Sequence, residues 1–62
     1  MNWNWINVYE KEPEIGQRCI VKGDKSTYYE CFYSGRNLSM HPLFKVENSN
    51  EYVVSYEYAV ID

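Results

Sequence analysis

Sixty-two residues with a net charge of −3 bound a single small domain and disfavour a binder of nucleic acid driven by phosphate neutralisation, because no basic block is present. No run of 18 apolar residues occurs, and the opening Met-Asn-Trp-Asn-Trp lacks the basic and apolar regions of a signal peptide. A cytoplasmic protein without a membrane span is therefore expected. Aromatic residues make up 18% of the chain, as two Trp, two Phe and seven Tyr.

A chain this short needs a partner, a staple or large core side chains to fold. Each aromatic buries roughly 150–250 Å², so the set exceeds what one small core can take up. Several rings are expected on the surface. Tyr tolerates half-exposure on a sheet face, and Tyr and Trp also dominate binding hot spots.

Taken in chain order, short β-rich segments alternate with turn signals, the pattern of a meander. Residues 5–8 form the first strand. Residues 9–15 have room for one helical turn, which Pro13 limits. The second strand spans 17–22 with Cys19, Ile20 and Val21, and the turn after it begins Gly23-Asp24. The third spans 27–33, where Tyr29, Cys31 and Tyr33 face the core and Tyr28, Glu30 and Phe32 face out. If Gly23 pairs with Thr27, Cys19 falls opposite Cys31 on one face; a shift of one residue separates them. Proximity without a disulfide is predicted. The fourth strand spans 43–47. Residues 51–61 alternate strictly and predict one long, half-buried strand. Its Tyr52, Val54, Tyr56, Tyr58 and Val60 face is expected to line the core, and the Ser55 and Glu57 face to meet water. The fold class expected is all-β, one domain over 1–62: a five-stranded curled sheet or an SH3-like barrel, with a small α+β arrangement as the alternative. Closure would remove exposed edges.

Little here carries chemistry. Two cysteines lack Cys-x-x-Cys spacing, and with His41 they give three soft ligands where structural zinc takes four. Buried reduced thiols are expected, with no metal and no cofactor. Glu10, Glu12 and Glu14 read as a solvated loop. His41 lies in a loop-like Met-His-Pro, and the three glycines are isolated, so neither a catalytic constellation nor a phosphate cradle is present. Arg18, Lys22 and Lys25 beside Tyr28 and Phe32 read as ordinary hairpin charge. No enzyme is expected.

The first third carries Trp5-Ile6-x-Val8-x-Glu10-x-x-Pro13-x-x-Gly16-Gln17, followed by Ile20-Val21. This resembles a small domain-of-unknown-function family of tailed phages and prophages that opens with W-I-x-V-x-E-x-x-P-x-x-G. The likeness covers residues 5–21. The chain's end, Ser55-Tyr56-Glu57-Tyr58-Ala59-Val60-Ile61-Asp62, departs from the Trp-Met-Pro-like close of that family. The resemblance implies a phage or mobile-element origin, a host-cell cytoplasmic setting and a small β fold, and no activity. The motif also has a plain folding role: a bulky first strand, a stiff Pro13 connection, and a Gly16 free to take positive φ.

The candidate binding residues are Tyr28, Glu30 and Phe32, extended by Trp3 and Tyr9 beside the first strand. The expected function is occlusion of a host macromolecule, most concretely inhibition of a defence system such as a CRISPR effector. The expected partner is a host protein, or a second copy of the chain. The alternatives are an oligomeric protein sequestering a nucleotide-like small molecule, and a phage structural or assembly factor.

Overall fold

The structure is a computed structural model that describes residues 3–61. Six strands form one antiparallel sheet: β1 (Ile6–Asn7), β2 (Arg18–Lys22), β3 (Tyr28–Arg36), β4 (Pro42–Val46), β5 (Tyr52–Val54) and β6 (Glu57–Val60). Their order across the sheet is β1-β6-β2-β3-β4-β5. The fold is all-β, and the α+β alternative does not apply.

Chain connectivity forces the sheet to curl. Between β6 and β5 lie β2, β3 and β4, which would separate them by about 19 Å in a flat sheet with strands 4.7–4.9 Å apart. Yet only Ser55 and Tyr56 join them, and three Cα steps of 3.80 Å reach at most about 11 Å. A flat sheet cannot satisfy both. A bulge assists the bend: the β3–β4 register slips between Tyr33 and Gly35, where Gly35 has φ +90°. The sheet curls without closing, since no strand pairing joins β5 to β1.

The β2–β3 hairpin has the register that the turn chemistry predicts. Gly23 N–H donates to Thr27 O at 2.6 Å, and Cys19 stands directly opposite Cys31. Both thiols are free and fully buried. A Cβ at Gly23 would collide with the Tyr29 ring, so any larger residue there would have to displace that ring. Among the described residues the only helical turn is inside this hairpin, at Asp24–Ser26. Residues 9–15 hold instead a turn in which Glu10 N–H and Lys11 N–H both donate to Asn7 O.

The core lies inside the curl: Val8, Cys19, Val21, Cys31, Tyr33, Phe44 and Tyr58. On β3 the alternation is as expected, with Cys31 and Tyr33 buried, Tyr29 packed against the core and Tyr28 exposed. The last segment corrects the sequence reading. One long strand is replaced by two, so the sheet has six strands rather than five. Tyr52, Val54, Tyr56 and Val60 are exposed, and from that face only Tyr58 is buried. The cause is the break at Ser55, whose Oγ donates to Glu57 O at 2.7 Å. It re-aims the chain from β4 to β2, and Val53 and Ala59 of the other parity turn inward or are covered.

Candidate functional site

Alternation fixes an outer face as firmly as an inner one. Cys19 and Val21 point into the core, so Ile20 points outward; Tyr58 points inward, so Ala59 points outward. Both are nevertheless buried, Ile20 6% and Ala59 1% exposed. Trp5, the residue before β1, lies over this face. Trp5 stacks on Tyr28 of β3, ring centroids 6.2 Å apart and planes 22° from parallel. Since β6 and β2 lie between β1 and β3, the indole crosses over Ala59 and Ile20 to reach it.

A second stacked pair forms at the β5–β6 break. Tyr9 and Tyr56 lie 5.9 Å apart at 29°. The guanidinium of Arg36 sits over the Tyr9 ring, 4.9 Å from its centroid, a cation–π arrangement. Tyr9 donates its hydroxyl to Met40 O at 3.2 Å, and Tyr56 shares a 2.7 Å hydrogen bond with His41 Nδ1. Trp5 of the first pair and Tyr56 of the second line one open cavity of about 420 Å³, together with Lys22, Gly23, Ser55 and Glu57. Tyr28, Trp5, Tyr56, Tyr9 and Met40 thus make an exposed belt from the β2–β3 hairpin to the β3–β4 hairpin, with that cavity between its two stacked pairs.

Of the residues singled out from sequence, Tyr28 and Tyr9 lie in this belt, at separate points along it. Trp3 is half-buried beside the first strand. Glu30 is taken up by Arg18, whose Nη2 lies 3.2 Å from Glu30 Oε2 and 3.2 Å from Glu47 Oε2. Phe32 is half-buried and lines a different depression of about 340 Å³ with the turn at 47–50. The sequence reading missed Trp5 and Tyr56 as the links. Trp5 was read as a strand anchor and Tyr56 as core. The signal for Tyr56 was its neighbour: Ser55 binds its own backbone, the local competition that breaks strands.

Several other polar groups are tied into the fold by hydrogen bonds. Tyr33 donates its hydroxyl to Glu12 Oε2 at 2.6 Å, and Arg36 holds the other oxygen of Glu12 at 3.0 Å. Burial first, and Glu12 second, push the Tyr33 phenol up to about 12. Tyr58 donates to Lys11 O at 2.7 Å, and burial raises its pKa as well. Burial pushes Cys19 up to about 11 and Cys31 up to about 12, so neither thiol is poised as a nucleophile. Gly16 has φ +91° and donates its N–H to Tyr33 O. With Pro13 buried, the motif at residues 5–17 therefore builds and ties down the connection to β2. Among the described residues, no group of three or more His, Cys, Asp or Glu is placed to hold a metal, and no helix is long and apolar enough to cross a membrane.

Compared with known proteins, the chain matches no family model, no curated protein and no solved structure.

Proposed function

We propose that this protein acts by contact: it docks on and occludes a protein partner through the Tyr28–Trp5–Tyr56–Tyr9 belt. In its most concrete form it is a phage or mobile-element product that inhibits a host defence effector such as a CRISPR enzyme. The observation that supports binding is the belt itself. Four rings are held outside the core as two stacked pairs, pre-ordered at little entropic cost, and all four remain 36–52% exposed. The motif at residues 5–17 supports the proposed origin. The test is affinity purification of the tagged protein from a bacterial host, followed by titration of the recovered partner against Tyr28→Ala and Tyr56→Ala. Each is expected to weaken binding by about tenfold or more while folding is kept. Recovery of no specific partner, or unchanged affinity in both variants, refutes the belt as the docking surface.

One observation favours a second reading, a nucleotide-like ligand between Trp5 and Tyr56. Lys22 and Glu57 line the same cavity and make no ion pair with any described residue, leaving a cation for phosphate and an acceptor for a base amine. Titration with adenosine 5′-monophosphate, followed by the amide resonances of Lys22, Gly23 and Ser55, separates the two. No shift at millimolar nucleotide removes this reading.

A further inference from the structure

The last two strands present one row of backbone groups that is only half used. In the β5–β6 segment the odd-numbered residues bond one way. Glu51 O accepts from Val46 N–H, Val53 pairs with Phe44, and Ser55 N–H donates to Pro42 O, all toward β4. Ala59 and Ile61 bond toward β2. The even-numbered residues face the opposite side. Tyr58 pairs with Ile6, and Tyr56 O accepts from Val8 N–H at 2.8 Å, both toward β1. The chain then turns away after Val8, because Glu10 and Lys11 fold back on Asn7. Val54 and Tyr52, next in the same row, have no strand beside them. No backbone hydrogen bond among the described residues reaches their N–H or C=O groups on that side.

We infer that this open edge of β5 is a self-association site, occupied by β5 of a second copy running antiparallel about a two-fold axis at Val53. Two features point to a second copy. The first is parity. A two-fold axis at Val53 sets Tyr52 opposite Val54 of the other copy, and these are the two residues whose backbone groups point outward. Each facing pair exchanges two N–H···O bonds, giving four in all, and the interface is self-complementary as a closed dimer requires. The second is the composition of the edge. Shortness and the flanking Glu51 guard it only in part, and Tyr52-Val53-Val54 itself holds no charge, proline or bulge, with Tyr52 53% and Val54 49% exposed. The edge is three residues long, at the low end of specific contacts, so the dimer is weak, with a Kd on the order of 100 µM. The site adjoins the belt, since Val54 lines a depression with Lys22 and Gly23, which also line the belt's cavity, but it uses backbone groups that the belt does not.

The test is sedimentation equilibrium of the whole chain from about 10 µM to 1 mM, with three variants. Val54→Pro removes an outward N–H and no bond of the β4–β5 ladder, so it is expected to fold and to remain monomeric. Tyr52→Lys with Val54→Lys sets like charges opposite each other and is expected to be monomeric too. Tyr52→Lys with Val54→Glu sets opposite charges across the axis and is expected to restore the dimer. A wild-type monomer at 1 mM overturns the inference, as does a dimer unaffected by Val54→Pro. A dimer lost equally in both charged variants overturns the Val53-centred register. If the wild type stays monomeric yet β5 amides shift when the belt's partner is added, the edge takes a segment of that partner and the self-association is refuted.

Discussion

The rings inside the curl and the rings outside it are the same residue types held by different means. Inside, Tyr33, Phe44 and Tyr58 lie tilted against one another, Tyr33 to Phe44 at 5.2 Å and Phe44 to Tyr58 at 6.4 Å. The two inner hydroxyls are each anchored on the 9–15 loop, one at Glu12 and one at Lys11. Outside, each ring has one stacked neighbour and is half in water; Tyr9 also carries the Arg36 guanidinium and Tyr56 the edge of His41. The inner set converts area into stability. The outer set keeps area in reserve. Truncation separates the two roles, and the largest effect is expected inside. Phe44 is fully buried and touches both inner tyrosines. Phe44→Ala is expected to cost about 3–5 kcal/mol. A domain of this size holds only about 3–9 kcal/mol in total, so urea denaturation should find the variant at or near unfolding. A loss below about 1 kcal/mol would erase the distinction between the two sets.

The anchored hydroxyls come next. Tyr33→Phe keeps the ring and removes its bond to Glu12, which also keeps Arg36 and is half in water. The expected cost is about 1–2 kcal/mol. The same groups set a pH limit. Tyr33, Cys19 and Cys31 all have pKa values raised above their ordinary 9.0–10.0 in the folded protein. A raised pKa means that the folded state holds its proton more tightly than the unfolded chain does. Its contribution is therefore complete below the unfolded value and is lost as pH climbs to the folded one. Stability should be flat up to about pH 9 and fall steadily from there to about pH 12, with a shallower fall in Tyr33→Phe. Denaturation midpoints at pH 8, 10 and 11 read this directly, and a midpoint that rises with pH would reverse the sign.

Outside the curl the expected loss is smaller. Tyr28→Ala gives up one stacked contact of a half-exposed ring and should cost less than about 1 kcal/mol. A loss as large as that of Phe44→Ala would mean that the Trp5–Tyr28 pair is a second core, acting as the lid over Ile20 and Ala59, rather than a surface held for contact.

How much of this was legible in the sequence differs between the two sets. The hairpin was readable because its turn chemistry and its parity agree: Gly23 opens the turn, and Cys19, Val21, Cys31 and Tyr33 then fall on one face. The β5–β6 segment was not, because unbroken alternation over residues 51–61 conceals a corner. Period two states which residues share a face only while the strand runs straight. At Ser55 the chain leaves β4 for β2, and a residue such as Tyr56 that alternation assigns to the core lands at the bend, exposed. For the same reason the belt was only half visible. Tyr9 and Tyr28 could be read as outward from local context. The links, Trp5 crossing two strands and Tyr56 at the corner, depend on which strands become neighbours, and no local window contains that.

The smallest expected effect has the opposite sign. The tip between β3 and β4 is tightly ordered: Met40 N–H donates to Asn37 O, Asn37 N–H donates to His41 O, and Asn37 Oδ1 accepts from the N–H of Ser39 and of His41. In this loop Met40 has φ +67°, a conformation that costs an ordinary L-residue about 1–2 kcal/mol and glycine nothing sterically. The Met40 side chain gains little burial in return, being 57% exposed. Met40→Gly relieves the backbone and pays back part of the gain through the freer unfolded chain, so a net stabilisation of about 0.5 kcal/mol is expected in urea. Every truncation inside the curl loses stability; this one, at the end of the belt, should gain it. If the belt docks a partner, the same substitution removes an apolar side chain from the contact and should weaken that complex, a stability–function opposition of the kind that marks binding surfaces. A Met40→Gly protein that is less stable than wild type would place Met40 with the inner set, as a residue kept for the fold.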